Sequence, residues 1–177
     1  MSDRPTVFVM GVSGAGKTTV GRLPAAALGL PYAEGDDFHP ARNLAKMSPG
    51  MPLEDADRWP WLDAVGAWVR RQGDRGAVVA ASALRRSHRD RLRVAAPDAL
   101  FVHLAGEREL IARRMAARTG HFMRVAQLDS QYAVLEPLSG DERGVTVPVD
   151  GGPEETVGRA LDGLRAMGVV GRRTGGA

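Results

Sequence analysis

A glycine-rich segment near the N-terminus has the spacing of a phosphate-binding loop. Residues 11–18 read Gly-Val-Ser-Gly-Ala-Gly-Lys-Thr and match G-x-x-x-x-G-K-[ST] at every fixed position. Glycines let the backbone wrap with its N–H groups pointing inward at the start of a helix, where they attract an anion. The residues predicted to bind a nucleotide are Gly11, Val12, Ser13, Gly14, Ala15, Gly16, Lys17, Thr18 and Thr19. Within this set Lys17 is expected to reach the β- and γ-phosphates of ATP, and the Thr18 hydroxyl to bind Mg²⁺.

The sequence beyond this loop favours a kinase over other nucleotide-hydrolysing proteins. GTPases read guanine with an [NT]-K-x-D segment, and neither Lys17 nor Lys46, the two lysines of the chain, lies in one. Motor ATPases place a carboxylate after a buried strand beside the loop. Here the strand predicted to be buried, residues 77–81, is followed by Ser82-Ala83-Leu84, which has no carboxylate. The acids follow the second predicted strand instead, at Asp36 and Asp37. That position suits a carboxylate that orients an acceptor hydroxyl.

Short β-branched runs alternate with longer helical segments, which predicts a three-layer α/β/α domain with a five-stranded parallel sheet. We expect strands at residues 6–10, 32–34, 77–81, 100–104 and 145–149. Residues 1–167 should form a single P-loop kinase domain, followed by a flexible tail at 168–177. Residues 119–140 mix glycine, aromatic and polar residues, so we expect a small mobile lid at about 114–140 rather than core. Pro24 falls inside the first predicted helix, which it could kink.

Composition is that of a folded protein without thiol or membrane chemistry. The chain of 177 residues has 44% hydrophobic and 25% charged residues, and its net charge is only +3. It contains no cysteine, which excludes disulfides, thiolate zinc sites and a catalytic thiol. No apolar stretch approaches the roughly 18 residues that cross a bilayer, and no secretion signal precedes the glycine loop. We therefore expect a cytoplasmic protein with no membrane partner.

Several longer segments make the chain similar to the gluconate kinase (gluconokinase) family of P-loop small-molecule kinases. These segments are GVSGAGKT at 11–18, EGDDFHPARNLAKM at 34–47, PLEDADRWPWL at 52–62, SALRRSHRDRLR at 82–93, HF at 121–122 and LDSQYAVLEP at 128–137. The chain departs from the family at His88, where tyrosine is common, and at Arg124, where proline is frequent. The resemblance implies phosphorylation of D-gluconate by Mg-ATP to give 6-phospho-D-gluconate, and a homodimer.

The resemblance also points to the residues that would bind gluconate. Asp36 would be the base or orienting group for the acceptor hydroxyl, although it could instead cap the next helix. Arg58 would grip the carboxylate as a fork, the alternative being an ion pair with Asp55 or Glu54. Further substrate contacts are expected from His39, Arg42, Ser82, Arg85 and Arg89. Ser82 and Arg85 follow a central strand, at the edge of the sheet where open α/β sheets bind ligands.

A second group of basic and polar residues is expected near the lid. Arg114 and Arg118 lie four residues apart, so a helix would place them on one face, just before His121. In related kinases a lid arginine closes over the transferring phosphoryl group, which would make Arg118 catalytic and both arginines ATP-binding. The alternative is a solvated helix face. His121 and Gln131 are expected to contact substrate.

Two rival functions remain open from the sequence. A shikimate kinase would have aspartates two apart after the second strand and a glycine triplet after the third, where this chain has Gly35-Asp36-Asp37 and Ser82-Ala83-Leu84. A nucleotide-dependent nucleic-acid-binding module would use the five arginines at 85, 86, 89, 91 and 93. Because no aromatic residue is interleaved with those arginines and the net charge is small, we expect no nucleic-acid partner.

Overall fold

The computed structural model describes residues 4–119 and 122–169. Its five strands are β1 (Thr6–Met10), β2 (Tyr32–Glu34), β3 (Ala77–Ala80), β4 (Leu100–Ala105) and β5 (Gly144–Pro148). Its seven α-helices are α1 (Lys17–Leu28), α2 (Ala41–Met47), α3 (Asp55–Gln72), α4 (Arg86–Ala95), α5 (Arg108–Thr119), α6 (Phe122–Val134) and α7 (Pro153–Ala166). Single 3₁₀ turns cover Gly35–Phe38 and Gly73–Arg75. The predicted alternation of strands and helices is confirmed.

The strands form one parallel sheet in the order β2-β3-β1-β4-β5, with β1 at its centre. Val7 pairs with Val78 on one side and with Leu100 on the other. Both faces of β1 are buried, so its residues read as a continuous apolar run rather than an alternating one. The predicted three-layer fold with a five-stranded parallel sheet is confirmed.

Alternate residues of the strands separate two apolar cores. Val7 and Val9 face a core that α1 and α7 cover, together with Ile111 from α5. Phe8 and Met10 face the other core, which α3 covers and to which α4 contributes Leu92. The central strand is therefore held from both sides, which fixes the position of the loop that follows Met10. Pro24 is buried within α1, which continues through it to Leu28.

The described part of residues 119–140 contributes to the core, whereas the sequence predicted a mobile insertion there. It contains α6, and Leu128 on that helix is fully buried in the core on the α1 side of the sheet. Tyr132 and Leu135 pack partly buried against the same core. The signal was available in the sequence, because positions 128, 132 and 135 have the spacing of one helix face. Glycine and polar residues around them obscured it.

Arg89 is a structural residue in this fold, which corrects its assignment as a substrate contact. Its side chain is fully buried and its Nε and Nη2 atoms donate to the Glu142 carboxylate at 2.7 and 2.8 Å. Its other donors bond main-chain carbonyls, including those of Ala83 and Glu136. No donor is left for a ligand. These bonds with Arg89 and Arg93 hold the pKa of Glu142 well below its usual range although burial opposes the shift.

His103 should make the folded state sensitive to acid. It lies on β4 with 3% of its surface exposed, and its Nδ1 has no hydrogen-bond partner among the described residues. Burial, aided by the charge of Arg89, lowers the pKa of His103 from 6.5 to about 4. As pH falls below 6.5, the unfolded chain binds a proton that the folded chain does not, so the free energy of unfolding decreases toward pH 4. At about 1.4 kcal/mol per pKa unit, the loss approaches about 3 kcal/mol.

We expect His103→Leu to flatten this pH dependence between pH 6.5 and 4.5, because leucine cannot titrate. Urea unfolding of both proteins at several pH values in that range gives the two slopes. His39 and His88, whose pKa values burial also lowers, contribute to the slope that remains in the variant, and carboxylates with lowered pKa values such as Glu142 add to it near pH 4.5. Identical slopes in the two proteins would mean that the pKa of His103 in the folded state is not lowered.

Candidate functional site

The glycine loop joins β1 to α1 and leaves the start of that helix open to an anion. Gly16 precedes the helix with a φ of 97°, and no side chain caps the first N–H groups. Gly14 has a φ of 79°, and a Cβ there would lie 2.5 Å from the Met115 side chain. Glycine is therefore required at position 14 by both conformation and space. The uncapped amides can bind phosphate oxygens, as the sequence predicted.

Lys17 opens α1 and lies along the loop. Its Nζ donates to the Val12 carbonyl at 3.0 Å. Burial lowers the pKa of Lys17, while the nearby carboxylates of Asp36 and Glu34 raise it. The ammonium group is thus held between the phosphate loop and the carboxylates that follow β2. This position suits a cation that contacts the transferring phosphoryl group.

Glu34, at the end of β2, is a site residue that the sequence analysis did not select. Its Oε2 accepts hydrogen bonds from the Thr18 hydroxyl at 2.9 Å and from the Tyr32 hydroxyl at 2.7 Å. Burial and the bond to Glu34 raise the pKa of Tyr32, which keeps that hydroxyl a donor. Because Thr18 donates its proton to Glu34, the lone pairs of its oxygen remain free. A carboxylate two residues before Asp36 was the signal for this role.

Asp36 lies in the 3₁₀ turn after β2, at the same edge of the sheet as the glycine loop. The turn approaches β3 so closely that a Cβ on Gly35 would lie 2.6 Å from the Ala80 carbonyl. The Asp36 side chain is 66% exposed, and its Oδ1 is 3.8 Å from His39 Nε2. It caps no helix: the 3₁₀ turn has no side-chain cap, and the residue before α2 is Pro40. A carboxylate here is open to an acceptor hydroxyl.

His39 is held in one orientation by its neighbours. Its ring stacks on Trp61 with centroids 4.4 Å apart, and Asn43 Nδ2 lies 3.1 Å from its Nδ1. Because an amide nitrogen can only donate, Nδ1 must accept, which places the proton of the neutral ring on Nε2, toward Asp36. Burial lowers the pKa of His39, which favours the neutral form. The fully buried Trp61 also donates its indole N–H to the Gly35 carbonyl at 2.7 Å.

Arg58 and Arg85 form an electropositive pair beside this turn. Both side chains are half-buried, and neither forms an ion pair with a carboxylate among the described residues. The alternative ion pair of Arg58 with Asp55 or Glu54 is therefore absent, and its Nη2 donates only to the Leu53 carbonyl at 3.3 Å. Burial lowers the pKa of Arg58; Asp55 opposes that shift and Arg85 adds to it. Two half-buried guanidinium groups in mutual repulsion are stabilised by an anion.

His88 on α4 connects that helix, which follows Arg85, to α3, which carries Arg58. Its Nε2 lies 2.9 Å from Asp55 Oδ1 at the start of α3, and its Nδ1 accepts the backbone N–H of Arg85 at 3.3 Å. Trp59 packs edge-on against the ring. Burial lowers the pKa of His88 and the bond to Asp55 opposes this, so the ring is neutral at pH 7 with its proton on Nε2. His88 thus fixes α3 relative to α4, a role that the sequence did not reveal.

The remaining residues that the sequence predicted for the site lie on several different elements. Ser82 follows β3, where its carbonyl accepts the N–H of Gly11, and Arg42 is exposed on α2. Arg114 donates to the carbonyls of Val149 and Gly151 after β5, and Arg118 is exposed at the end of α5. The amide of Gln131 bonds Ser13 in the glycine loop. His121 lies outside the described residues.

Comparison with known proteins agrees with this geometry. The shikimate kinase family model matches residues 13–139. The gluconokinase of Gluconobacter oxydans is 45% identical over 150 residues, covering 84% of each chain, and the thermosensitive gluconokinase of Escherichia coli is 43% identical over 141 residues, covering 78% of this chain and 75% of that protein.

Solved structures extend the likeness to the fold. The crystal structure of a gluconokinase from Sinorhizobium meliloti superposes with a TM-score of 0.88 at 45% identity, covering 94% of this chain and 95% of that one. The shikimate kinase of Aquifex aeolicus superposes with a TM-score of 0.59 at 15% identity, which shows a common fold alone. The chain therefore belongs to the gluconokinase branch of the P-loop kinases that the shikimate kinase family model describes.

Proposed function

We propose that this protein transfers the γ-phosphoryl group of ATP to the terminal hydroxyl of D-gluconate, giving 6-phospho-D-gluconate. The observation that carries the proposal is the presence of basic groups near Asp36. The Asp36 carboxylate acts on Lys17, beside the open start of α1, and both Asp36 and Arg58 act on the ring of His39. Arg85 lies near Arg58, and neither guanidinium group forms an ion pair with a carboxylate among the described residues. Gluconate has a carboxylate for the arginine pair and hydroxyls along its chain, of which the last would meet Asp36.

The proposed catalysis rests on positioning the two substrates and stabilising charge, not on a covalent intermediate with the protein. The amides of the glycine loop and Lys17 hold the phosphates and offset the charge that develops on the transferring group. Asp36 accepts a hydrogen bond from the acceptor hydroxyl, orients its oxygen toward the γ-phosphorus and takes up its proton. His39 can donate from Nε2 to an oxygen of the acceptor. Arg118, exposed at the end of α5, is the candidate for a lid arginine over the phosphates.

The oxygen ligands beside the glycine loop fit Mg²⁺. Thr18 offers a hydroxyl oxygen whose proton is directed to Glu34, and hard oxygen donors of this kind suit Mg²⁺. Thr18 would bind the ion directly, while the Glu34 carboxylate would hold that hydroxyl in place and accept hydrogen bonds from water around the ion. When bound with ATP, Mg²⁺ neutralises part of the phosphate charge.

The rival functions lose their main support. Four of the five clustered arginines, at 86, 89, 91 and 93, pair with carboxylates, which removes most of the charge available to nucleic acid.

A shikimate kinase remains the nearer alternative because acids stand at 34 and 36. The loop after β3 nevertheless has Ser82-Ala83-Leu84 in place of a glycine triplet. Ala83 there has the positive φ of 37° that a glycine would adopt without strain.

Cellular location and assembly extend the proposal. Among the described residues no helix is long and apolar enough to cross a membrane. We propose a cytoplasmic homodimer, as the gluconokinase resemblance implies. Sedimentation of the purified protein measures the oligomeric state.

An ATP-consumption screen tests the proposed reaction. The purified protein would be assayed with Mg²⁺ and ATP against gluconate, its epimers, shikimate and uncharged polyols of similar length. We expect gluconate to have the highest kcat/KM, and mass spectrometry to place one phosphoryl group on the product. Preference for shikimate would replace the proposed acceptor, and ATP consumption that no acceptor increases would reject a small-molecule kinase.

Arg58→Met should raise the KM for gluconate far more than the KM for ATP. Methionine replaces the aliphatic stem of arginine with a similar apolar chain but removes the charged fork. Losing a charge-assisted pair costs about 1.5–3 kcal/mol, or roughly ten- to a hundredfold in binding. Steady-state kinetics with each substrate varied in turn separates the two constants. Arg71→Met, at an exposed position near the end of the same helix, is the matched comparison. Equal effects of Arg58→Met on both substrates would indicate a structural role.

A further inference from the structure

The glycine loop is held by a side chain that lies 118 residues later in the sequence. Gln131 on α6 accepts the backbone N–H of Ser13 through Oε1 at 2.7 Å and donates through Nε2 to the Ser13 hydroxyl at 2.8 Å. A single side-chain amide thus bonds both the backbone N–H and the hydroxyl of one loop residue. Of the other loop amides, that of Ala15 donates to the Val12 carbonyl at 3.2 Å, whereas Gly14, Gly16 and the uncapped start of α1 keep N–H groups that can face the phosphates.

The helix that carries Gln131, α6, is itself fixed to the core on the α1 side of the sheet. Tyr132 donates its hydroxyl to the Gly106 carbonyl at 2.7 Å, and Leu128 is fully buried in the core. Met115 on α5 lies against Gly14, the residue next to Ser13. The outer turn of the loop is therefore confined by α5 at Gly14 and by α6 at Ser13.

We infer that Gln131 is a positioning residue that holds the glycine loop in its phosphate-binding shape, rather than a residue that touches gluconate. An uncharged amide suits this role because a carboxylate at the same place would repel the phosphates. Holding the amides in place before ATP arrives reduces the ordering that binding would otherwise require. The inference rests on the proposed function for ATP as the ligand, but not on gluconate as the acceptor.

Gln131→Met tests the inference because it keeps the side-chain length and removes both hydrogen bonds. We expect the dissociation constant for a non-hydrolysable ATP analogue, measured by calorimetry, to rise about five- to tenfold. The KM for gluconate should stay within about twofold of that of the unmodified protein. Gln127→Met is the matched control, since Gln127 is exposed one turn earlier on the same helix, and it should leave both constants unchanged.

A double-variant cycle with Ser13→Ala distinguishes positioning from a general loss of structure. Ser13→Ala removes the hydroxyl and leaves the backbone N–H, so it should weaken ATP binding about two- to threefold. Added to Gln131→Met it should have little further effect, because the hydroxyl has already lost its partner. Additive effects, an unchanged ATP constant, or a rise in the gluconate KM alone would each overturn the inference. Absence of gluconate phosphorylation by the unmodified protein would reject the proposed function instead.

Discussion

Asp36→Asn is expected to lower turnover at least a hundredfold while the affinity for ATP changes less than about fivefold. Asparagine keeps the size of aspartate but loses the charge and the ability to accept a proton, and loss of a general base costs about 10²–10⁴-fold in rate. ATP should still bind, because the amides at the start of α1 and Lys17 supply the phosphate contacts. A coupled assay measures turnover, and calorimetry measures nucleotide affinity.

Asp37→Asn is the matched control for this prediction. Asp37 is the exposed neighbour in the same 3₁₀ turn, so the substitution has the same chemistry one residue away. Its turnover should stay within about twofold. A large loss in Asp37→Asn with normal activity in Asp36→Asn would move the acceptor carboxylate by one residue. If both variants kept their activity, Glu34 would be the next carboxylate to test.

Lys17→Ala should reduce phosphoryl transfer below about a tenth of its normal rate while the fold is retained. A methyl group cannot supply the compact cation beside the β- and γ-phosphates. The ammonium group donates only to the Val12 carbonyl in this structure, so its removal leaves no buried carboxylate unpaired and circular dichroism should be unchanged. Turnover is measured at saturating ATP and gluconate.

Lys46→Ala offers a comparison with the other lysine of the chain. Lys46 pairs with Asp57 at 2.7 Å, at the start of α3 and away from the glycine loop. We expect a modest loss of stability, because the Asp57 carboxylate keeps its hydrogen bond from the Glu54 N–H, and little change in turnover. Activity retained in Lys17→Ala would contradict the role of Lys17 in transfer.

The sheet and the phosphate loop were predictable from the sequence because each depends on local signals. Apolar runs such as residues 77–81 predict a buried strand, and the glycine spacing of 11–18 needs no tertiary information. The position of Asp36 directly after β2 was predictable for the same reason.

The contacts that the sequence did not predict join residues that are distant in the chain. Arg89 belongs to a helix face that reads as substrate-facing, and only the fold brings Glu142, 53 residues later, against it. Gln131 similarly finds Ser13 across 118 residues. Glu34 was passed over because its partners, Thr18 and Tyr32, identify it only once they meet in space.

The indole of Trp61 links the turn that carries Asp36 to the helix that carries Arg58. Its N–H bonds the Gly35 carbonyl beside Asp36 and its ring supports His39, while Arg58 lies one turn earlier on the same helix. In the proposed function Arg58 binds the carboxylate and Asp36 orients the hydroxyl, so these contacts would fix the distance between the two groups and select acceptors by chain length. A sugar acid one carbon shorter, anchored at its carboxylate, would fall short of the phosphoryl group by about a bond length. Misplacement of about 1 Å can cost about a hundredfold in rate, so such acids should bind and yet react poorly.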